Sequence, residues 1–471
     1  MKENRINSQN HSFDPVILRE YDIRGQVGKN LSSEDAYTLG RAFGTYVIRE
    51  NAEKQDHTVC VGYDGRISSP ILEKNLVAGL CSTGIQVERI GRGPTPMLYF
   101  AVQHQNSDAG IMVTGSHNPP DYNGFKMTTH DHGVFGQAIQ DIGEIAKKSD
   151  FKTSKGRETT TDISDSYIAR LLQDLHLTRG LKIAWDAGNG ASGEILQKLT
   201  TKIPGEHILL YDNIDGSFPH HHPDPTVDKN MIDLKKAVLE NQCDLGIAFD
   251  GDGDRIGAVD EKGQILRCDT LMSLYAREVL KTHPGATIIG DVKCSQVMYD
   301  EIERLGGVPV MWKTGHSLIK DKMQELQAPL AGELSGHIFF ADKYYGFDDA
   351  LYCAVRLISE LSETGGSLSS LTENLPRLFN TPEIRIDVKE EEKFDLVPRA
   401  LKNLQSQNSK QDIDMTDGLR ITTPDGWWIL RPSNTQNAIT VRAESTSEEG
   451  LERLMIMIGE EVKKLGYTLL P

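Results

Sequence analysis

The hydrophobic positions of the chain follow two periods, which together predict an alternation of buried strands and amphipathic helices. The runs at 58–62, 109–113 and 181–185 are predicted to be strands, and the apolar run 109–113 has the character of a strand buried in a parallel sheet. Apolar residues recur at helical spacing over 36–47, after Ser32, which can form a capping box with Asp35. A final helix is predicted over 448–464.

Strand, polar loop and helix recur through most of the chain, and this order changes near its end. The recurrence predicts three related mixed α/β domains. From residue 381 the order becomes α+β, with strands at 383–388 and 438–443 and a helix over 390–404. A polar stretch without periodicity, 147–161, is predicted to be the first linker. The predicted domains are residues 1–160, 161–263, 264–377 and 378–471.

The length and composition agree with a protein of several domains. A chain of 471 residues exceeds what one ordinary hydrophobic core supports. A hydrophobic fraction of 38%, with 43 glycines and 19 prolines, is typical of a loop-rich α/β enzyme. The formal charge of −17 argues against a nucleic acid partner, because such binding needs a basic face. An anionic substrate would need positive charges concentrated in one place.

The cysteines and the N-terminal residues bear on the compartment. Six cysteines are scattered without a C-x-x-C pair, which favours buried free thiols in a reducing cytoplasm. Residues 1–10 are polar and lack the apolar segment of a signal peptide, and no stretch is long and apolar enough to span a bilayer. We therefore expect a soluble, cytoplasmic protein without a membrane partner. The cysteines are Cys60, Cys81, Cys243, Cys268, Cys294 and Cys353.

A serine follows one of the buried strands, in Asp108-Ala-Gly-Ile-Met-Val-Thr-Gly-Ser-His-Asn-Pro-Pro120. The prolines exclude an immediate helix, so Ser116 is expected on a tight loop at the carboxyl end of a strand, where open α/β sheets bind ligands. His117 can orient or activate the hydroxyl, and Lys126 can bring a positive charge back toward it. The alternative is a strand-to-turn connection whose serine bonds its own backbone.

Asp250-Gly-Asp-Gly-Asp254 follows another strand and carries three carboxylates at alternate positions. In an extended loop alternate side chains point the same way, so the three can converge on one hard cation. The glycines between them permit a tight curl and a close approach. Arg255 can bind a phosphate that shares the metal. We expect this loop to be exposed at a cleft.

Three other interpretations of the acidic loop compete with a metal site that binds phosphate. A calcium EF-hand would have glutamate at its twelfth position, where Glu261 stands, but glycine at its sixth, where Arg255 stands. A haloacid-dehalogenase-type phosphatase also has Asp-x-Asp after an apolar strand, but it normally continues with threonine or valine where Gly253 stands. The third is a solvated acidic turn.

Two later loops have compositions suited to a sugar phosphate. Arg431-Pro-Ser-Asn-Thr435 offers a guanidinium fork, hydroxyls and an amide to anionic oxygens, although a polar hairpin turn has the same composition. In Gly332-Glu-Leu-Ser-Gly-His337, Glu333 can accept from sugar hydroxyls and Ser335 adds a small donor or acceptor. His220-His-His222 is predicted to be a surface loop, because consecutive side chains cannot converge on one ion without strain.

Four motifs follow one another along the chain, in the order Thr-Gly-Ser-His-Asn-Pro, Asp-Gly-Asp-Gly-Asp-Arg, Gly-Glu-Leu-Ser-Gly-His and Arg-Pro-Ser-Asn-Thr. Their order and spacing resemble the α-D-phosphohexomutase superfamily, and most closely its bacterial phosphomannomutase/phosphoglucomutase group. The resemblance implies an α/β protein of four domains around a central cleft, the last an α+β domain like the TATA-binding protein, with Mg²⁺ as cofactor. Many members have alanine where Gly115 stands, and the glycine should loosen the loop slightly.

The resemblance also implies roles for individual residues. Ser116 corresponds to the phosphoserine carrier. The implied metal ligands are Ser116, through a phosphate oxygen, and Asp250, Asp252 and Asp254. The residues implied around the phosphoserine and the substrate are Tyr21, Arg24, Lys126, Arg255, Lys293, His316 and His337. The implied hexose contacts are Glu333 and Ser335. The implied clamp for the non-reacting phosphate consists of Arg431, Ser433, Asn434 and Thr435.

The expected reaction follows from these roles. Phospho-Ser116 gives its phosphoryl group to the free hydroxyl of a hexose monophosphate, and the hexose bisphosphate then turns over in the site and returns its other phosphate. Arg24 belongs to the expected catalytic group, and Lys126 and His337 are the candidates for general acid/base catalysis. The sugar is mannose, glucose or both. The alternatives are a phosphoglucosamine mutase, a phosphatase or kinase that uses the acidic loop, and a non-catalytic sugar-phosphate binding protein. We expect a monomer.

Overall fold

A computed structural model describes residues 11–389, 391–406, 412–433 and 437–469. These residues form four domains, each built on its own sheet. The predicted fold class, three related mixed α/β domains followed by an α+β domain, is confirmed.

The first domain contains a six-stranded sheet and four α-helices. In chain order its elements are β1 (Ile23–Gln26), α1 (Ser33–Glu50), β2 (Thr58–Tyr63), α2 (Ser69–Cys81), β3 (Gln86–Arg92), α3 (Thr95–His104), β4 (Ala109–Val113), β5 (Tyr122–Thr129), α4 (Gln137–Lys147) and β6 (Arg157–Thr160). The strand order is β1-β5-β4-β2-β3-β6. The predicted capping box of α1 is present, because the Ser32 side chain accepts from the Asp35 backbone and the Asp35 side chain accepts from the Ser32 backbone.

The second domain has a five-stranded sheet in the order β11-β10-β9-β7-β8. In chain order its elements are α5 (Ser164–Leu172), β7 (Leu181–Asp186), α6 (Gly193–Thr200), β8 (Gly205–Leu210), α7 (Ile232–Asn241), β9 (Leu245–Phe249), β10 (Ile256–Asp260) and β11 (Ile265–Leu266).

The third domain has a four-stranded sheet in the order β13-β12-β14-β15. In chain order its elements are α8 (Cys268–Thr282), β12 (Thr287–Asp291), α9 (Gln296–Arg304), β13 (Val308–Trp312), α10 (His316–Leu326), β14 (Leu330–Gly332), β15 (Ile338–Phe340), α11 (Ala350–Thr364) and α12 (Leu368–Thr372).

The three α/β domains share one topology. Each has three parallel strands followed in the chain by a strand antiparallel to the last of them, in the spatial orders β5-β4-β2-β3, β10-β9-β7-β8 and β15-β14-β12-β13. The loops that carry candidate chemistry join the last parallel strand to its antiparallel neighbour. The predicted order of strand, loop and helix is therefore corrected at these points to strand, loop and strand.

The predicted linker at 147–161 is also corrected in part. Its last residues form β6, which pairs in parallel with β3 and so belongs to the first sheet. The strand is fully exposed, and its sequence Arg-Glu-Thr-Thr lacks the apolar positions that would have predicted it.

The fourth domain has an antiparallel sheet in the order β16-β21-β20-β19-β18, with β17 paired to β21. Its elements are β16 (Phe379–Asn380), β17 (Ile384–Asp387), α13 (Lys393–Ser406), β18 (Asp412–Asp414), β19 (Leu419–Thr423), β20 (Gly426–Pro432), β21 (Ala438–Ser445) and α14 (Glu448–Lys464). Apolar residues of both helices pack with this sheet in one core.

One continuous apolar core joins the first three domains. It runs from Phe100 on α3 through Trp185 on β7 and Tyr275 on α8 to Tyr352 on α11, all almost fully buried. The three sheets are therefore held in fixed relative positions, which a site built from all three requires. Among the described residues, no helix combines the length and the apolar character that a membrane crossing needs.

Candidate active site

Polar loops from the three α/β domains meet at one site. Residues 114–121 follow β4, residues 250–255 follow β9 and residues 333–337 follow β14. Each loop begins at the carboxyl end of a parallel strand, where α/β sheets bind ligands. Hydrogen bonds join the first loop to the second, and a close side-chain approach joins the second to the third. The edges of the three sheets thus face one another.

Ser116 lies where the first loop contacts the second. Its backbone φ is +47°, a left-handed conformation that is uncommon for a residue with a side chain. Its hydroxyl donates to Oδ2 of Asp250 at 2.8 Å and lies 3.2 Å from Nδ1 of His117. A Cβ on Gly251 would lie 3.1 Å from the Ser116 carbonyl carbon and closer still to its oxygen, so this glycine permits the approach. The Ser116 side chain is therefore turned toward the acidic loop.

Asp250, Asp252 and Asp254 converge as their alternating pattern predicts, with one oxygen of each within 4.8 Å of the others. All three are fully buried, so the expectation of an exposed loop is wrong. Within the described part of the chain, Oδ1 of Asp252 accepts no hydrogen bond, and Oδ1 of Asp254 has the His337 ring 3.4 Å away. A buried carboxylate oxygen without a donor is costly unless a cation binds it. The residues present therefore fit a hard divalent cation.

Lys126 on β5 places a positive charge against these carboxylates. Its Nζ donates to Oδ2 of Asp252 at 2.8 Å and also to Oδ2 of Asp254. Burial alone would lower the pKa of Lys126, but the two carboxylates raise it well above its ordinary value. Burial and the charges of Asp254 and Asp252 raise the pKa of Asp250 well above its usual range. The mutual repulsion of the three carboxylates is a second feature that suits a bound metal.

His337 brings the third loop against the acidic loop. Its Nε2 lies 3.4 Å from Oδ1 of Asp254. Its Nδ1 lies 2.9 Å from Oε2 of Glu333 and 3.1 Å from Oγ of Ser335. Burial opposes a charge on the imidazole, but Asp254 and Glu333 raise the pKa of His337 to about 9. The ring is therefore an imidazolium at neutral pH, the form that donates a proton.

Residues 313–316 are held between the first and third domains. The Tyr21 hydroxyl donates to the carbonyl of Thr314 at 2.9 Å, and the Tyr21 ring meets His316 edge-on with 6.0 Å between centroids. From the other side, Oε1 of Glu333 accepts from the backbone N–H of Gly315 at 2.6 Å. Burial works against ionisation of Glu333, but the hydrogen bond and charge of the neighbouring imidazolium lower its pKa to about 2.

Two arginines, one from each of the first two domains, extend the site. Arg24 on β1 donates from Nη1 to the carbonyl of Gly115 at 2.8 Å and to Oδ1 of Asn118 at 2.6 Å. Nε of Arg255 lies 3.3 Å from Nε2 of His337. The charge of Arg255 lowers the pKa of His337, but the surrounding carboxylates raise that pKa by more.

Lys293 and Arg431 form a second cationic group, between the third and fourth domains. Nζ of Lys293 lies 3.1 Å from Oε2 of Glu383. Nε and Nη2 of Arg431 both lie 3.0 Å from Oδ2 of Asp417. The backbone N–H of Thr314 donates to the same Oδ2 of Asp417 at 3.0 Å, so this group is connected through residues 313–316 to Glu333.

The remainder of the predicted phosphate clamp is described only in part. Ser433 follows β20, is buried, and donates its backbone N–H to the carbonyl of Ala438 at 2.8 Å. Asn434 and Thr435 lie outside the described residues.

Several residues that contact the site received no role in the sequence analysis. Thr95, at the start of α3, donates its hydroxyl to Oδ2 of Asp252 at 2.5 Å. Asp348 is fully buried, with Oδ2 3.6 Å from Nδ1 of His316. Asp64-Gly-Arg66 directly follows β2, and its place at the carboxyl end of a parallel strand was the signal that could have identified it. The residues missed are Asp64, Arg66, Thr95, Asp348, Glu383 and Asp417.

The three consecutive histidines do not form a metal cluster. Nδ1 of His220 lies 2.8 Å from Oδ1 of Asn189, and Nε2 of His221 lies 2.9 Å from Oδ2 of Asp186. Their partners are hydrogen-bonding groups of the second domain.

Four family models match successive parts of the chain. Phosphoglucomutase/phosphomannomutase alpha/beta/alpha domain I matches residues 15–153, domain II matches 165–263, domain III matches 267–379, and the C-terminal domain matches 383–460.

Relatives are similar over nearly the whole length. The phosphomannomutase/phosphoglucomutase of Pseudomonas aeruginosa is 42% identical over 453 residues, which are 96% of this chain and 96% of that protein. The phosphoglucomutase of Neisseria gonorrhoeae is 40% identical over 93% of this chain and 95% of its own. The crystal structure of a phosphoglucomutase/phosphomannomutase family protein from Burkholderia thailandensis has a TM-score of 0.90 at 39% identity, over 96% of this chain and 98% of that one.

Proposed function

The chain belongs to the phosphoglucomutase/phosphomannomutase family and is a phosphohexomutase, and we propose that Ser116 carries its phosphoryl group. The enzyme interconverts hexose 6-phosphate and hexose 1-phosphate through a bisphosphorylated sugar. The single observation that best supports Ser116 is its 2.8 Å hydrogen bond to Asp250, one of three converging buried carboxylates.

The reaction consists of two transfers at one oxygen. First, the bond between phosphorus and Oγ of Ser116 breaks, a bond forms to the free hydroxyl of the hexose monophosphate, and that hydroxyl loses its proton. After the bisphosphate turns over, the phosphoryl group at its other end returns to Oγ, and the oxygen that is released takes up a proton. Such transfers need in-line placement and charge neutralisation more than covalent help.

Asp250, Asp252 and Asp254 would hold a divalent metal, for which we propose Mg²⁺. When bound, the ion would withdraw charge from the oxygens of the transferring phosphoryl group. The chain's own contribution is to keep the three carboxylates buried and convergent, with the Ser116 hydroxyl against Asp250. A phosphoserine carries about −1.5 to −2 charge, and Lys126 is the buried ammonium placed to offset part of it.

We assign proton transfer to His337. The neutral form of the imidazole, the minor form at neutral pH because its pKa is about 9, accepts the proton that the sugar hydroxyl loses in the first transfer. The imidazolium formed in this way gives the proton to the oxygen that is released in the second transfer. Lys126 was the second candidate. Because two carboxylates keep it charged, its position suits neutralisation of phosphoryl oxygens better than proton abstraction.

Sugar and distal phosphate are assigned to different residues. Glu333 and Ser335 accept hydrogen bonds from the ring hydroxyls of the sugar, which binds in either of two orientations. Arg431, Ser433 and Lys293 hold the phosphate that does not react. In this structure Asp417 bonds Arg431, so the arriving phosphate meets a guanidinium that is already oriented by a carboxylate.

The relatives' names favour the mutase over a haloacid-dehalogenase-type phosphatase or a phosphoglucosamine mutase. The test is turnover of mannose, glucose and glucosamine phosphates measured side by side, with the intact mass of fresh protein before and after phosphatase treatment. We expect turnover of mannose phosphate, glucose phosphate or both, and loss of one phosphoryl mass. Light scattering on the same sample tests the proposed monomer. Turnover of glucosamine phosphate alone would refute the sugar assignment.

A further inference from the structure

We infer that Arg66 is a positioning residue for phosphoryl transfer, because its guanidinium fixes the backbone from which the Ser116 hydroxyl projects. The inference rests on the proposed role of Ser116 as carrier. Arg66 is almost fully buried, with 1% of its surface exposed, and it follows β2 in the first domain.

The guanidinium binds four backbone carbonyls of the serine loop. Nη1 donates to Pro119 at 2.5 Å and to Tyr122 at 3.0 Å. Nη2 donates to Ser116 at 2.7 Å and to Asn118 at 2.6 Å. Most of this segment lies between β4 and β5, outside the sheet ladder, where buried carbonyls need other partners. One side chain therefore replaces the hydrogen bonds that secondary structure would provide.

Asp64 fixes the guanidinium and the start of the loop together. Its Oδ2 lies 3.2 Å from Nε of Arg66, and accepts from the backbone N–H of Gly115 at 3.0 Å and from the hydroxyl of Thr114 at 2.9 Å. The Thr114 hydroxyl also lies 3.1 Å from Oδ2 of Asp252. A short chain of polar contacts thus connects Arg66 to the acidic loop, so the carrier and the proposed metal ligands keep one relative position.

The packing around Gly115 agrees with this role. A Cβ at position 115 would lie 2.9 Å from Cδ of Arg66 and closer still to its Nε and Cζ. The glycine therefore makes room for the guanidinium. That it also loosens the loop slightly stays a prediction. The left-handed conformation falls instead on Ser116, at φ +47°. Such a conformation persists where the surroundings over-determine it, and the bond from Arg66 to the Ser116 carbonyl is part of those surroundings.

Lysine cannot reproduce this arrangement. A guanidinium presents five N–H donors in a planar fork, whereas an ammonium presents three donors from a single point and cannot reach all four carbonyls. A displacement of about 1 Å at a reacting atom costs about 100-fold in rate. The clamp residues Lys293 and Arg431 do not contact this loop. Arg66→Lys should therefore lower kcat about 100-fold and leave KM for hexose phosphate nearly unchanged.

The experiment compares Arg66→Lys with the parent and with Arg89→Lys. Arg89 is a matched control in the same domain, paired with Glu73. Steady-state kcat and KM are measured, together with single-turnover loss of the phosphoryl mass from Ser116 on addition of a hexose monophosphate. We expect slow transfer and an unchanged KM in Arg66→Lys, and parent values in Arg89→Lys. A transfer rate equal to that of the parent would overturn the inference, and so would a raised KM with unchanged kcat.

A second variant tests the inference if Arg66→Lys does not fold. Asp64→Asn alters the acceptor that holds Arg66, Gly115 and Thr114, and it should slow the same transfer while inhibition by inorganic phosphate stays as in the parent. Parent-like transfer in Asp64→Asn would likewise overturn the inference. A parent protein that never carries a phosphoserine would refute the proposed role of Ser116 instead. An active, phosphorylated parent with an equally active Arg66→Lys variant would refute the role of Arg66 alone.

Discussion

The hydroxyl of Tyr167, on α5 of the second domain, donates to Oδ2 of Asp349 at 2.9 Å, across the boundary to the third domain. Tyr344 donates to the same oxygen at 2.8 Å, and Oδ1 accepts from the backbone N–H of Tyr352 as the N-cap of α11. Burial raises the pKa of Asp349 to about 7 in spite of these bonds. A carboxyl group between two domains therefore titrates near neutral pH.

Asp349 should make stability fall as pH rises. The unfolded chain releases this proton near pH 4, whereas the folded protein keeps it until about pH 7. Between these two pH values the folded state therefore binds more protons than the unfolded state. The contribution of Asp349 to the free energy of unfolding declines from about pH 4 to 7, by at most about 1.4 kcal/mol per pH unit, and is absent above pH 7. Asp349→Asn can still cap the helix. The Tm of Asp349→Asn should therefore rise relative to that of the parent as the pH increases from 5 to 7.

Asp425→Asn is the control for this titration. Asp425 is paired with Arg453, and that hydrogen bond lowers its pKa below the usual range, so it stays ionised from pH 5 upward. The Tm difference between this variant and the parent should be constant over pH 5–8. A constant difference for Asp349→Asn as well would contradict the assignment.

Removal of the carrier oxygen should abolish turnover without unfolding the protein. In Ser116→Ala the hydrogen bond to Asp250 is lost, but the loop keeps its backbone bonds. We expect loss of nearly all mutase activity, loss of the phosphoryl mass and a circular dichroism spectrum like that of the parent. Ser82→Ala, which removes one hydroxyl from the C-cap of α2, should remain active. Normal turnover by purified Ser116→Ala would show that another residue carries the phosphate.

The parts of the fold that could be predicted are those decided by neighbouring residues. The strand over 109–113 is a continuous apolar run, and all five of its residues are buried. The helix after Ser32 was predicted from its capping box and its apolar stripe, and it begins there. The convergence of Asp250, Asp252 and Asp254 followed from their alternation, which is a local property of the chain.

The parts that could not be predicted depend on residues far apart in the chain. Burial of the acidic loop arises because Thr95 and Lys126, from the first domain, cover Asp252. The bond between Arg431 and Asp417 depends on the turn before β19, and no motif marks that aspartate. The exposed strand β6 is fixed only by its backbone pairing with β3, which leaves no hydrophobic signal in its sequence.

The acidic loop should make both activity and stability depend on Mg²⁺. Exhaustive chelation should abolish turnover, and added Mg²⁺ should restore it and raise Tm, because an ion that binds the folded state stabilises it. Asp252→Asn should remove most of both responses. Since Asp252 accepts buried hydrogen bonds from Thr95 and Lys126, the Tm of Asp252→Asn should also be lower than that of the parent. A substitution in an exposed loop would leave Tm similar. Asp425→Asn should respond to Mg²⁺ as the parent does. Turnover and Tm that are both indifferent to chelation would refute the metal site.

The last prediction separates recognition of the sugar from recognition of its distal phosphate. Glu333→Gln keeps an oxygen for the Gly315 N–H but removes the charge offered to ring hydroxyls. A charge-assisted bond contributes roughly 1.5 to 3 kcal/mol, so kcat/KM should fall by one to two orders of magnitude. Arg431→Gln removes a charged fork, so it should also weaken inhibition by inorganic phosphate, which has no ring. Arg453→Gln, on the surface of the same domain, should change neither constant. The measurement is the inhibition constant of inorganic phosphate for all three variants. If Glu333→Gln weakens phosphate inhibition as much as Arg431→Gln does, the two loops do not have the separate roles proposed for them.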